Sequence, residues 1–244
     1  MIDIDKFLCV IPARCGSKGI ARKNMQIVAG KPLVEHSITQ AIRDGISKKN
    51  IVVSSDSQEI LDLALSLGVM TRDRPAEIST DTSSTEACLI DAYYSYPLKH
   101  NIHSIICLQP TSPIRFKGLI KRCMREYADG GYNCLVTTTK LNDFYWIERF
   151  HENSYMWYST YNVHDRPMKQ QLSRENWNYF DNGNVYISNV EMLLETKCRL
   201  GDNPRVFVIS ELEGIQIDTM QQLYMCDAIL RSINLDDMRF EWEI

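Results

Sequence analysis

No run of apolar residues in the 244-residue chain is long enough to cross a bilayer. No membrane partner is therefore expected. A surplus of positive charge is missing too: 27 Lys and Arg against 31 Asp and Glu leave a net charge of -4. That balance excludes a protein built to coat nucleic acid, because such binding rests on a broad excess of cations. Any anion site has to be local. Cysteine itself is not scarce, but paired spacing is. The eight cysteines (Cys9, Cys15, Cys88, Cys107, Cys123, Cys134, Cys198, Cys226) contain no CxxC pair. Several sit inside apolar runs, where cysteine acts as a small hydrophobe. Reduced thiols of a cytoplasmic protein are the expectation. The start, "MIDIDKFLCVIPAR", has acids where a signal peptide needs bases, which fits the same compartment. The five histidines form no zinc set, and His100 with His103 reads as a surface pair. Internal repeats and low-complexity linkers are absent.

What is present is an alternation. Apolar runs rich in β-branched residues, "FLCVI", "NIVVSSD", "HSIICL" and "NCLVTTT", are separated by segments of helical period such as "KPLVEHSITQAIRDG", "SQEILDLALSLG" and "FKGLIKRCMREYADGG". This order predicts an α/β domain whose mostly parallel sheet is covered on both faces. "STEACLIDAYYSY" opens a further helix at Ser84 or Ser83, and the Ser83 to Glu86 spacing fits a capping box. The rhythm stops after Lys140. From residue 141 to about 176 the chain is aromatic and polar with no sustained period. A structureless loop of that length is improbable inside a compact domain. A small subdomain or arm within a single 1–244 domain is expected, with Trp146, Tyr155, Trp157 and Tyr158 suited to a subunit interface, the alternative being that these aromatics fold back onto the parent core. The alternation resumes with "GNVYIS", "VEMLLETK", "RVFVIS" and "DTMQQLYMCDAILRSI".

Chemistry concentrates where strands end. "IPARCGSKGIARKN" leaves the first strand with Arg14, Lys18, Arg22 and Lys23 around two glycines. Backbone N-H groups of such a loop approach an anion closely while Arg and Lys neutralise it. The loop is neither a Walker A motif nor a GxGxxG fingerprint. Spacing alone leaves a phosphate site and a solvated basic loop both open. "LQPTSPIR" also follows a strand, and its two prolines make a rigid turn that points Gln109, Thr111 and Ser112 outward. "RPAEISTDTSSTE" offers Arg74 and a cluster of hydroxyls before a helix. Asp218 in "GIQIDTMQQL" suits a helix N-cap or a metal ligand, the cap being favoured in isolation.

Together "IPARCGSKGIARKN", "GKPL", "RPAEISTDTSST", "LQPTSPIR", "NGNVYIS" and "IDT", in this order between residues 11 and 219, resemble the acylneuraminate cytidylyltransferases, the CMP-sialic acid synthetases. The resemblance implies a three-layer nucleotide-diphospho-sugar transferase fold. It implies attack of a nine-carbon α-keto acid sugar on CTP, with Mg2+, giving a CMP-sugar and pyrophosphate. It assigns Arg14, Lys23 and Asp218 to catalysis, with Arg14 and Lys23 on the phosphates and Asp218 on the metal. Ser17 and Asn24 fall on the nucleotide, Arg74 with Ser83 or Thr85 on base or ribose, and Gln109 and Tyr186 on the sugar side. Arg174 is the candidate for the sugar carboxylate. The 141–176 arm would cross to a second subunit of a homodimer.

The chain departs from that pattern at Cys15, at Ala21 in place of a common Pro, at Asp181, and at Gln216, where the family has another acid. A different nucleotide, as in a guanylyltransferase, and an impaired nucleotide-sugar-binding protein remain the alternatives.

Overall fold

The computed structural model describes residues 3–16, 19–141, 144–171 and 178–238. In chain order, β1 (Phe7–Pro12) is followed by a short pair, β2 (Ile27–Val28) and β3 (Lys31–Pro32), and by α1 (Leu33–Arg43). Next come β4 (Ile51–Ser55), α2 (Gln58–Ser66), β5 (Met70–Asp73), α3 (Thr85–Ser95) and β6 (Ser104–Cys107). The second half holds α4 (Leu119–Asp129), β7 (Cys134–Leu141), the hairpin strands β8 (Trp146–His151) and β9 (Ser154–Ser159), and β10 (Asn178–Asn189). It closes with α5 (Val190–Thr196), β11 (Pro204–Ile209) and α6 (Met220–Ser232).

Among the described residues seven strands form one sheet in the order β11-β7-β10-β6-β1-β4-β5. All its pairings are parallel except those of β10, which runs against both β6 and β7. The period-2 alternation of buried strands explains the layers. Cys9 and Ile11 face one cluster with Val34 and Ile38 of α1, Ile60 of α2 and Cys123 of α4. Leu8 and Val10 face the other with Leu89 of α3 and Leu193 of α5. Helices on both sides of a mostly parallel sheet are what the alternation predicted. A third cluster seats α6, through Leu223 and Cys226, against Val28, Leu33, Ile114 and Phe116. All eight cysteines are free.

The aromatic segment folds partly as a hairpin. β8 and β9 pair antiparallel through a two-residue turn, Glu152 and Asn153, both with positive φ (46° and 70°). Such a turn matches the right-handed twist of the flanking strands. Trp146, Phe150, Tyr155 and Trp157 are all more than half exposed in the single chain.

Candidate active site

After β1 the chain builds outward to β4 and β5, then returns to place β6 on the other flank of β1. That reversal opens a crevice beyond the carboxyl ends of β1 and β6, the usual ligand position in an open α/β sheet. A cavity of about 490 Å³ lies there. Arg14, Lys23 and Asn24 from the loop after β1 line it, with Arg74, Ser83 and Thr85, Gln109 and Thr111, and Gln216 and Asp218. Four stretches far apart in sequence thus meet in one concavity.

Among the described residues of the basic loop, Arg14, Arg22 and Lys23 each have a carboxylate partner. Arg14 Nη1 donates to Asp81 Oδ1 at 2.6 Å and to the Thr80 carbonyl at 3.2 Å. Lys23 Nζ, on a side chain only 12% exposed, donates to the Ile217 carbonyl at 2.9 Å and to Asp218 Oδ1 at 3.0 Å. Arg22 turns away and pairs with Glu59 on the surface. Asn24 is buried, and its Nδ2 donates to the Arg14 carbonyl at 2.9 Å, so it shapes the loop as well as lining the cavity. Gly19 has a steric reason: a Cβ there would stand 2.6 Å from the Asp218 carbonyl oxygen. Ser17 lies outside the described residues.

Arg74, which lines the same cavity, is buried, its Nε donating to Ser54 Oγ at 3.0 Å and its Nη2 to the Ser54 carbonyl at 2.6 Å. The expected capping box at α3 is not formed. Ser84, not Ser83, is the N-cap, accepting from Ala87 N at 3.1 Å. Glu86 is drawn instead to Arg199 at 2.6 Å, and Ser83 Oγ accepts from Thr80 N. A charged partner competes better for the Glu86 carboxylate than a backbone N-H does. This frees Ser83 to fold the loop that carries Asp81.

The turn after β6 is rigid but not uniformly outward. Gln109 and Thr111 reach the cavity, whereas Ser112 is fully buried. Beneath it lies Arg115, fully buried, with Nη1 donating to Ser37 Oγ (3.1 Å) and Gln40 Oε1 (3.0 Å). Its Nη2 donates to the carbonyls of Gln109 (2.9 Å) and Asn184 (2.8 Å). Burial pushes the guanidinium down to about 10, still cationic at neutral pH.

The "NGN" stretch is structural. Asn182 bonds Thr137 and Thr139 through its side chain, and Asn184 Nδ2 donates to the carbonyls of Ile114 and Glu213. The register of β10 against β7 shifts between Asp181 and Tyr186 to accommodate it. Tyr186 itself is in the core and is not among the residues lining the cavity. Its hydroxyl donates to Asp181 Oδ1 at 2.7 Å, and the Arg199 guanidinium sits 4.5 Å from its ring centre. Burial, then Asp181, push the Tyr186 hydroxyl above its ordinary range. Arg174 lies outside the described residues.

Asp218 is not the cap of α6. Thr219 is, in a capping box with Gln222. The Asp218 side chain is 65% exposed on the cavity lip, with Lys23 as its partner. Among the described residues no group of three or more His, Cys, Asp or Glu could hold a metal ion. One exposed carboxylate beside the Lys23 ammonium fits a magnesium ion that arrives with a polyphosphate, since Mg2+ keeps several waters and often takes only one or two carboxylates. It does not fit a closed, resident cage.

A family model described as cytidylyltransferase matches residues 8–185. The chain belongs to the cytidylyltransferase family. Pseudaminic acid cytidylyltransferase of Campylobacter jejuni is 32% identical over 236 residues, covering 94% of this chain and 97% of the relative. An N-acylneuraminate cytidylyltransferase of Streptococcus agalactiae is 31% identical over 88% of this chain, which spans 51% of that longer protein. In three dimensions a solved CMP:2-keto-3-deoxy-manno-octonic acid synthetase, in complex with CTP, superimposes with a TM-score of 0.67 over 93% of this chain and 99% of that one, at 15% identity. The nucleotidyltransferase fold and enzyme class expected from the motifs are therefore those of the chain.

In this cytidylyltransferase, Arg14, Lys23, Asn24, Arg74, Ser83, Thr85, Gln109 and Asp218 converge on one cavity as the motifs suggested, and Tyr186 does not reach its wall. Sequence reasoning missed Asp81 as the partner of Arg14, and it missed Arg115. The only signal for Arg115 was an arginine closing a two-proline turn.

Proposed function

We propose that this chain activates a nonulosonic acid, a nine-carbon α-keto acid sugar of the sialic, pseudaminic or legionaminic kind, with CTP. The anomeric hydroxyl oxygen bonds to the α-phosphorus, and the bond from that phosphorus to the bridging oxygen of the β-phosphate breaks. Pyrophosphate leaves with the electron pair, and the hydroxyl proton goes to solvent. Little covalent work falls to the protein, so positioning and charge neutralisation carry the step.

Arg14 and Lys23 exchange their present carboxylate and carbonyl partners for the triphosphate. Arg74, already fixed by Ser54, keeps donors available for base or ribose beside Ser83 and Thr85. Gln109 meets the sugar. Asp218 would hold Mg2+ together with the substrate phosphates, and the ion would supply charge neutralisation there. The exposed aromatic hairpin β8–β9 supports reading the 141–176 segment as the arm of a homodimer, since large apolar side chains exposed together on two paired strands mark an interface. The free thiols fit a cytoplasmic setting.

One observation carries this reading: Arg14 and Lys23 stand at the switch-point crevice and line one cavity with Arg74 and Ser83, in a chain of the cytidylyltransferase family. The test offers the purified protein each of CTP, GTP, UTP and ATP with Mg2+ and a panel of nonulosonic acids, following pyrophosphate. Release with CTP and one acid is expected. Release with GTP instead would make it a guanylyltransferase, and nucleotide binding without any release would make it a binding protein.

A further inference from the structure

Gln216 stands where the resemblance led us to expect a second acid, and its bonding gives it a different task. Half-buried on the cavity wall, it donates from Nε2 to the backbone carbonyl of Asn182. The next residue, Gly183, has φ +62°, and a Cβ built on it would collide with Gln216 Nε2 and stand 2.7 Å from Gln109 Oε1. Two amide side chains, one from the turn after β6 and one from just before α6, therefore occupy the space where a Cβ of this residue would stand. Only a residue without Cβ lets them do so. The Asn182 side chain is committed to Thr137 and Thr139, Ser112 Oγ donates to the same Asn182 carbonyl at 3.5 Å, and Arg115 Nη2 holds the Asn184 carbonyl, so Gln216 adds to these a tie from the cavity wall.

A carboxylate could not make this contact, because an ionised acid accepts hydrogen bonds and has none to donate. It would face the Asn182 carbonyl oxygen with repulsion. With one Nε2 hydrogen engaged, Gln216 keeps a second N-H and a neutral amide oxygen, the latter an acceptor suited to a hydroxyl or N-H of a bound sugar. We propose that Gln216 is a positioning residue, which locks the Asn182–Gly183 turn against Gln109 and so sets the sugar-side wall, and that it takes no part in holding magnesium. The proposal rests on the sugar-activating reading above.

Two variants separate the roles. Gln216→Met keeps length and volume but removes the donor; Gln216→Glu restores a possible metal oxygen and also removes the donor. Hydrogen-deuterium exchange on the intact, ligand-free protein reads the lock without any reaction. In both variants the segments 178–189 and 108–115 should exchange about fivefold faster, the scale of one lost hydrogen bond, with α1 and α2 unchanged. Kinetics then read the consequence. The sugar KM should rise roughly tenfold, as expected when a positioning contact loosens, while the CTP KM and the Mg2+ half-saturation concentration stay at their wild-type values. Unchanged exchange in both variants overturns the proposal. So does a Gln216→Glu enzyme that saturates at lower Mg2+ with an unaltered sugar KM. If the wild-type protein turns over no acid in the panel, the functional reading fails by itself, and the exchange result alone decides whether Gln216 locks the turn.

Discussion

Lys23 Nζ lies 3.0 Å from Asp218 Oδ1, tying the loop after β1 to the residue before the α6 cap across 195 positions of sequence. The cation is nearly covered and the carboxylate mostly exposed, 12% against 65%. In the proposed reaction an arriving phosphate takes over the ammonium while the carboxylate swings to a metal.

Lys23→Ala should therefore lower kcat/KM for CTP by roughly a hundredfold or more, the usual cost of removing one preorganised charge from a transition state. Asp218→Asn should raise the Mg2+ concentration needed for half-maximal rate. Arg22→Ala is the control: its partner Glu59 is 52% exposed, and such a surface pair contributes under about 1 kcal/mol. Steady-state rates with a Mg2+ titration check all three. A wild-type rate in Lys23→Ala removes it from the site.

Arg115 gathers four neutral acceptors from α1, the β6 turn and β10. Lysine has neither the fork nor the reach to satisfy them together. Arg115→Lys and Arg115→Met should each cost about 3 kcal/mol or more, because buried acceptors are left unpaired. Urea unfolding measures this. A loss under about 1 kcal/mol in both, the scale of an ordinary surface change, would contradict the role.

His36 is buried on α1 and donates from Nε2 to the Val28 carbonyl at 2.8 Å. Burial, aided by Lys31 and Arg115, holds its pKa below the ordinary 6.5, against the pull of the Val28 bond and Glu35. The unfolded chain then binds the proton more readily than the native one. The stability due to neutral His36 is complete above pH 6.5 and is lost as pH falls from there through the folded value. His36→Gln should flatten the urea midpoint between pH 7.5 and 5.5 relative to wild type. Parallel pH profiles for the two proteins would rule this out.

The hairpin gives a prediction about assembly. Tyr155 (67% exposed) and Trp157 (61%) are the residues to change. Tyr155→Ser with Trp157→Ser should turn a sedimentation profile from dimer to monomer while circular dichroism stays the same. A wild-type protein that sediments as a monomer would remove the arm from the account.

The alternation of β-branched runs with helical segments was enough to foresee the layered sheet, because burial on both faces writes itself into each strand. The cavity residues were legible for a related reason: loops at strand ends carry the cations, hydroxyls and prolines that no core needs. What could not be read were partners. Glu86 matched a capping box locally, yet Arg199, 113 positions away, claims it. Asp218 looked like a cap until Thr219 took that place. Ser112 looked exposed beside two prolines but turns inward. Tyr186 sat in a motif read as sugar-binding, though its alternation puts it in the core beside Val136 and Val190. The hairpin left no period because neither of its faces is buried in the single chain.

The most direct test uses CTP radiolabelled at the α-phosphorus, with Mg2+ and a panel of nonulosonic acids. The account predicts that the label moves to a CMP-sugar, with one pyrophosphate released for each product, only when a suitable acid is present. Label that stays on CTP with every acid, or that appears in product without any acid, would contradict it.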